Sequence, residues 1–194
     1  MRVQRFGDRG LRIVFDEEPS KELTLKLRSL CKEARSLEGV IDAAPGQVSA
    51  ALLLDGDPDL VERALGKLSV EPEPLASASH IVQVIYDGVD LEWIAHNKSI
   101  TVDDIVALHA GREYFVRMLG SPGFIYLSDV HPTLQVERLA TPRPQVPAGS
   151  IGVAGLQTGI YGRGRPGGWR IVGKANEVPE VAPGDTVRFA AVTQ

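Results

Sequence analysis

The sequence has little cysteine and no long apolar run. Cys31 is the single cysteine, so no disulfide can form within the chain, which favours a reducing compartment. No apolar run approaches the roughly 20 residues that span a bilayer, and the N-terminal residues become polar by Gly7-Asp8-Arg9 instead of forming a secretory signal. We therefore expect a cytoplasmic protein without a membrane anchor.

Lysine is absent from the stretch between His109 and Gly173, which contains seven arginines and three acidic residues. This stretch therefore has a net charge of +4, whereas the whole chain has −4, so the remainder carries −8. The negative total argues against a nucleic-acid or membrane-surface binder. Arginine without lysine suits fixed, two-point recognition of a carboxylate or phosphate, although arginine stems covering apolar surface explain it equally well.

The spacing of apolar residues divides the chain into two parts. Up to about residue 75, short strands alternate with helices, whose apolar residues recur at helical spacing over residues 23–37 and 60–68. This order predicts an α+β domain over residues 1–75, with helices on one face of an antiparallel sheet. Residues 71–79 have the proline- and serine-rich composition of a linker.

Beyond the linker, short β-prone runs separated by glycine and proline dominate. Two short helices, predicted over residues 91–96 and 102–109, precede most of these runs, and nine glycines fall between Pro147 and Gly173. Many short strands joined by tight turns predict a closed or nearly closed β-barrel over residues 76–194.

Two local patterns mimic catalytic motifs but lack their chemistry. Gly168–Ala175 has the spacing of a phosphate-binding loop, yet Ala175 replaces the serine or threonine that would bind magnesium, and the intervening Trp-Arg-Ile-Val favours a strand. The run Gly149-Ser150-Ile151-Gly152 lacks the spacing of a nucleophile elbow, so a serine in a turn is the better interpretation.

Metal and DNA binding are also disfavoured. The four histidines are isolated and lack metal-ligand spacing, so we predict no metal site. The two short helices resemble a helix-turn-helix, but the second begins with Asp103 and Asp104, which would face DNA phosphate. We therefore expect no nucleic-acid partner.

A series of ordered motifs occupies the second half of the chain. It comprises Tyr114–Leu127, Pro142–Gly155, Gln157–Tyr161, Pro166–Gly173 and Pro183–Phe189. Together these motifs resemble the carboxyltransferase-domain subunit 1 family, long labelled allophanate hydrolase subunit 1. The family includes the small subunit of bacterial 5-oxoprolinase and the Kip-type inhibitor of a sporulation histidine kinase. Weaker similarity extends through Tyr86–Leu91 to the N-terminus, so the resemblance covers nearly the whole chain.

The resemblance implies a cyclophilin-like β-barrel behind the smaller α+β domain. It also implies a subunit of an ATP-dependent 5-oxoprolinase, which opens 5-oxo-L-proline to L-glutamate together with the larger carboxyltransferase-domain subunit 2. A third 5-oxoprolinase subunit is left open. ATP with magnesium is expected at the level of the complex, with none bound by this chain alone. The alternatives are a non-catalytic inhibitor of a sensor histidine kinase and a subunit of urea or allophanate metabolism.

The candidate site residues lie in or beside these motifs. His109 is the candidate catalytic residue, because it lies near the Tyr114–Leu127 motif, although a buried structural histidine is the commoner outcome. The arginines would bind the carboxylate of the substrate or a phosphorylated intermediate. The amide and hydroxyl side chains would hydrogen-bond the lactam, and the aromatic side chains would pack against the substrate ring. The alternative is that the glycines form barrel turns and the arginines pair with the partner subunit. The candidate substrate-binding residues are Arg117, Arg143, Gln157, Thr158, Tyr161 and Trp169.

The chain departs from the family pattern in two places. The loop Gly120-Ser121-Pro122 lacks an aromatic residue that family members usually have, and the segment between Gly173 and Pro183 is shorter than usual. We expect either difference to affect a substrate loop or a partner contact more than the fold.

Overall fold

The computed structural model describes residues 2–68 and 77–193, and the chain divides into two compact units, Met1–Ala76 and Ser77–Gln194. Each unit has its own hydrophobic core. Most of the predicted linker lies outside the described residues. Within the described residues, no helix is long and apolar enough to cross a membrane.

The first unit combines an antiparallel sheet with helices. Its strands pair in the order β1-β2-β4-β3. Alternate apolar residues of β2 and β4, such as Leu11 and Leu52, form the core with Leu27 of α1, as the period of two in a strand requires. The elements are β1 (Arg2–Phe6), β2 (Gly10–Val14), α1 (Lys21–Ala34), β3 (Val40–Pro45), β4 (Ser49–Leu54) and α2 (Pro58–Leu65).

The two helices of this unit begin at capping residues. Ser20 Oγ accepts a hydrogen bond of 3.0 Å from the Leu23 N–H, and Asp57 Oδ1 accepts one of 2.9 Å from the Asp59 N–H. Cys31 is buried in the same core, and desolvation raises the pKa of its thiol to about 12. The thiol is therefore protonated and packs as a small apolar group.

The second unit is a closed seven-stranded barrel with the strand order β10-β7-β6-β13-β5-β12-β9, which confirms the predicted barrel. Strands β13 and β5 pair in parallel, and the other neighbours are antiparallel. A separate two-stranded ribbon consists of β8 and β11. The elements are β5 (Ser79–Ile85), α3 (Leu91–Lys98), α4 (Val102–Ala110), β6 (Glu113–Gly120), β7 (Phe124–Asp129), a 3-10 helix (Pro132–Leu134), β8 (Arg143–Val146), β9 (Ser150–Ala154), β10 (Gln157–Tyr161), β11 (Arg165–Gly167), β12 (Arg170–Ala175) and β13 (Thr186–Ala191).

Inward-facing side chains fill the barrel. Ile151 and Val153 of β9 belong to this core together with Ile160 of β10, and Ile105 of α4 packs against it. Helix α4 begins with a capping box, in which Thr101 Oγ1 accepts from the Asp104 N–H while the Asp104 carboxylate accepts from the Thr101 N–H. This cap confirms the helix start predicted from the sequence.

A second apolar cluster lies on the outer face of the barrel wall. Gly152 alternates with the inward-facing Ile151 and Val153, and a Cβ on Gly152 would lie 2.9 Å from Trp169 Cβ. A Cβ on Gly159 would likewise lie 2.5 Å from the Phe124 ring. The missing side chains therefore make room for aromatic rings outside the wall. We call this group the outer aromatic cluster; it consists of Phe124, Tyr126, Tyr161 and Trp169.

Candidate functional site

The buried carboxylate of Asp90 joins two arginines to the barrel. Its Oδ1 and Oδ2 each accept a hydrogen bond of 2.9 Å from Arg143 Nη2, and Oδ2 also accepts one of 2.6 Å from the Ile171 N–H. Arg170 Nη1 lies farther away, at 3.5 Å from Oδ1. The Asp90 side chain is only 6% exposed, so these donors replace the water that a carboxylate otherwise needs.

Arg143 is consequently engaged within the chain. Besides its two bonds to Asp90, its Nη1 donates to the Trp169 carbonyl at 3.2 Å. A guanidinium with these acceptors has fewer donors left for a substrate carboxylate. The geometry therefore favours a structural role for Arg143 over the predicted substrate contact.

Asp90 itself was missed by the sequence analysis. Its position directly before α3 is that of a helix cap, but its side chain makes no capping hydrogen bond and instead reaches Arg143. Arg170 joins the same group, with its guanidinium 3.4 Å from the ring centroid of Trp93. The one sequence signal was the similarity over Tyr86–Leu91, which contains Asp90 but does not reveal its partners.

His109 lies near the end of α4 and is fully buried. Its Nε2 lies 2.9 Å from Thr158 Oγ1, and its Nδ1 lies 2.8 Å from the Tyr86 hydroxyl. The Thr158 hydroxyl donates its one proton to the Gly152 carbonyl at 3.0 Å, so it accepts from His109. Nε2 therefore carries the proton, and Nδ1 accepts from Tyr86.

Burial keeps the His109 ring neutral. Desolvation lowers its pKa from 6.5 to about 3, and the Phe189 ring stacks on it with centroids 4.7 Å apart. A general acid or base must reach a proton of the substrate, whereas both nitrogens of this ring already have partners inside the fold. The environment favours a structural role for His109 and for Thr158 over the predicted catalytic and substrate-binding roles.

Arg117 and Gln157 lie near the end of β7. Arg117 Nη2 donates to Asp129 Oδ1 at 2.9 Å, and Gln157 Nε2 donates to the Leu127 carbonyl at 3.1 Å. Gln157 also stands opposite Asp129 in the pairing of β10 with β7. The Arg117 Nε is buried and has no hydrogen-bond partner among the described residues. Two of the predicted substrate-binding residues, Arg117 and Gln157, therefore lie close together at the end of β7, away from Arg143.

Tyr161 and Trp169 belong to the outer aromatic cluster. The Phe124 ring lies 4.7 Å from Tyr161 and 4.9 Å from Trp169, in edge-to-face contacts. Tyr161 and Trp169 are 1% and 5% exposed, so their faces are occupied by neighbouring rings. Both residues therefore pack as core side chains, and neither ring has an exposed face against which a substrate ring could stack in the way that the sequence predicted.

The seven predicted site residues thus occupy separate places and do not converge on one cavity. His109 and Thr158 lie in the barrel interior. Arg143, Tyr161 and Trp169 lie on the outer side of the barrel. Arg117 and Gln157 lie at the end of β7.

A groove of about 520 Å³ lies in the first unit and is lined by residues such as Phe6 and Leu53. The described residues contain no group of three or more side chains that could hold a metal ion.

Two further arginines border the outer aromatic cluster, and a third lies beside the turn that precedes Phe124. Arg138 lies over the Trp169 ring at 5.6 Å, and Arg165 Nη1 donates to the Ser121 carbonyl. A Cβ on Gly123 would lie 3.6 Å from Arg163 Cγ, which places the Arg163 stem beside the turn between β6 and β7. We call residues 162–168, which contain two of these arginines and include the short strand β11, the arginine loop.

The suspected phosphate-binding pattern is a strand. Residues Arg170–Ala175 form β12, which pairs with β9 and β5, so its backbone N–H groups serve the sheet and do not curl around a phosphate. This confirms the strand predicted from the sequence.

We expect Lys174→Ala to leave the nucleotide affinity of the complex expected from the sequence within about threefold, because Lys174 extends from a strand and not from a phosphate loop. A phosphate-loop lysine would contribute several kcal/mol to transition-state stabilisation. Nucleotide titration and ATP turnover of the assembled variant provide the check. Loss of turnover in a folded, assembled variant would contradict this interpretation.

Residues 1–178 match the family described as carboxyltransferase domain, subdomain C and D. The chain is 33% identical over 197 residues to a 5-oxoprolinase subunit of Escherichia coli O157:H7, covering 91% of this chain and 90% of that protein.

Solved structures show the same architecture. The crystal structure of TTHA0988 in space group P212121 superposes with a TM-score of 0.83 at 33% identity, covering 96% of this chain and 40% of that chain. The Kluyveromyces lactis urea amidolyase gives a TM-score of 0.79 at 16% identity, covering 98% of this chain and 15% of that chain. At that identity the second likeness shows the fold alone, and this chain corresponds to only part of either protein.

Proposed function

The chain belongs to the carboxyltransferase domain family of subdomains C and D, and on that premise we propose that it is one subunit of an ATP-dependent 5-oxoprolinase. In this proposal a complex with a larger carboxyltransferase-domain subunit opens 5-oxo-L-proline to L-glutamate. The observation that carries it is the match to the Escherichia coli 5-oxoprolinase subunit along 91% of this chain. Two further relatives, from Bacillus subtilis and Haemophilus influenzae, are also named as 5-oxoprolinase subunits.

The chemistry explains the need for ATP. The lactam of 5-oxoproline resists hydrolysis. Transfer of the ATP γ-phosphoryl group to its amide oxygen, with release of ADP, would activate the carbonyl carbon, so that water adds, the C–N bond breaks, and a second water hydrolyses the resulting acyl phosphate to glutamate and phosphate. Such a step needs fixed cationic donors and a positioned water. In this chain the predicted catalytic residue, His109, is buried and neutral, and Arg143 is bound to Asp90. These observations support an active site completed by another subunit.

The proposal also includes the cofactor, the compartment and the type of barrel. ATP with magnesium would be bound mainly outside this chain, in a cytoplasmic assembly whose barrel is of the cyclophilin-like type. The likeness to urea amidolyase supports the fold and not a urea-derived substrate, because the identity is 16%.

We expect the purified chain alone to show no 5-oxoproline-dependent ATP hydrolysis, and activity to appear when the larger subunit is added. The reason is that the chain holds no complete catalytic set among its described residues. Phosphate release is measured with each subunit alone and with both, using 5-oxoproline and then urea as the amide.

The outcomes separate the candidate functions. Robust ATP hydrolysis by the isolated chain would contradict the proposal of a shared site. Stimulation of ATP hydrolysis by urea instead of 5-oxoproline would show that the proposed substrate is wrong. A mixture that assembles but hydrolyses neither amide, even after the third 5-oxoprolinase subunit is added, would point to the non-catalytic, kinase-inhibiting alternative.

A further inference from the structure

Positive charge is concentrated on the outer side of the barrel. Three segments that meet around the outer aromatic cluster, residues 118–128, 138–149 and 162–176, contain five arginines and one lysine but no aspartate or glutamate. The Asp90 carboxylate reaches into this region, and Asp129, Glu137 and Glu177 each lie directly beside one of the three segments in the chain. Six positive charges are therefore accompanied by four negative ones, and what matters is which arginines these carboxylates reach.

The arginines of this region divide into neutralised and uncompensated ones. Arg143 and Arg170 share the carboxylate of Asp90. Among the described residues, no carboxylate lies within ion-pair distance of Arg138, Arg163 or Arg165. Arg138 and Arg163 are also exposed, so their charge is presented to whatever approaches this side of the barrel.

The backbone that carries Arg163 is fastened to the neighbouring turn. The Gly162 N–H donates to the Gly123 carbonyl at 3.0 Å, and Arg165 Nη1 donates to the Ser121 carbonyl. Arg165 thus joins the arginine loop to the turn between β6 and β7, while Arg163 remains free of such a bond. A fixed backbone reduces the entropy lost when Arg163 binds a partner.

The surroundings suit carboxylates of a protein better than a small ring compound. A small ligand needs most of its surface buried against apolar walls, but Trp169 and Tyr161 are already covered by their neighbours. Exposed arginines around a well-packed aromatic base are instead typical of protein interfaces, where they pair with acidic groups and accelerate association.

We propose that Arg138 and Arg163 form a docking surface for a carboxylate-rich segment of the larger partner subunit. This inference rests on the proposed function, because it takes that subunit as the partner. Arg165 is a positioning residue in this surface, since it holds the arginine loop against Ser121. The surface binds its partner by charge, so assembly depends on ionic strength.

The test compares the double variant Arg138→Glu/Arg163→Glu with the control Arg112→Glu. Arg112 is likewise exposed and has no carboxylate within ion-pair distance among the described residues, but it lies at the turn between α4 and β6. Binding kinetics to the purified larger subunit are measured at about 50 mM and about 500 mM salt. We expect the double variant to slow association about tenfold or more at low salt, with the difference shrinking at high salt, and the control to change association less than about twofold.

Every other outcome is informative. If the wild-type chain fails to bind the larger subunit at either salt concentration, the proposed function itself fails. If the wild type binds and the folded double variant binds equally well, only the docking surface is wrong. If binding is unchanged but the KM for 5-oxoproline rises about tenfold, the two arginines contact the substrate carboxylate, and the docking surface is likewise overturned.

Discussion

Asp90→Ala is expected to lower the free energy of unfolding of the second unit by about 3–5 kcal/mol, the cost of removing one partner from a buried ion pair. The variant leaves the Arg143 guanidinium, the nearby Arg170 and the Ile171 N–H without their acceptor. Denaturant unfolding of the purified chain, followed by tryptophan fluorescence, measures the loss. Both tryptophans report on this region, because Trp93 stacks with Arg170 and Trp169 accepts from Arg143.

Arg143→Ala provides the matched comparison. It leaves Asp90 with the Ile171 N–H and the more distant Arg170, so we expect a smaller loss of about 1.5–3 kcal/mol. The double variant should cost less than the sum of the two single losses, because the residues share one interaction. If Arg143→Ala unfolds like the wild type while the complex loses activity, Arg143 contacts the substrate as the sequence first indicated.

The main features of the second unit follow from local sequence patterns. Glycine and proline between short β-prone runs predicted many strands, and the structure closes seven of them into a barrel. The β-prone run Trp-Arg-Ile-Val predicted that the phosphate-loop spacing was accidental, and β12 confirms this. The helix predicted from residue 102 begins there, where Thr101 and Asp104 form a capping box. The strands and the helix start depend on residues close together in the chain, whereas closure of the barrel pairs β5 with β13, which lie at opposite ends of the unit.

The site depends on residues far apart in the chain, which is why sequence reasoning placed it poorly. Asp90 and Arg143 are 53 residues apart, and His109 and Thr158 are 49 apart. Composition counts the arginines but does not show which of them a buried carboxylate neutralises. The outer aromatic cluster was equally hidden, since Gly152 and Gly159 are read as turn residues until their places in adjacent strands are known.

Folding stability between about pH 7 and about pH 5 is expected to decrease as the pH falls, in part because of His109. The unfolded chain takes up a proton on this histidine near pH 6.5, whereas the folded chain does so only near pH 3. Within that interval the unfolded state binds one more proton, so this residue alone lowers the free energy of unfolding by about 1.4 kcal/mol per pH unit. Asp42, whose pKa is lowered from 3.8 by the Arg35 hydrogen bond, affects stability only at lower pH.

His109→Gln isolates this contribution, because the amide offers a donor and an acceptor but has no proton to gain. We expect the variant to be less stable near pH 7, since its shorter side chain fills the space beside Phe189 and reaches Thr158 and Tyr86 less well. Its stability should fall less steeply with decreasing pH, by about 1.4 kcal/mol per unit. Denaturant unfolding of both proteins at several pH values gives the two slopes. Equal slopes would mean that the folded protein protonates His109 near its ordinary pKa; the ring would then have access to water, and the predicted catalytic role would regain its physical basis.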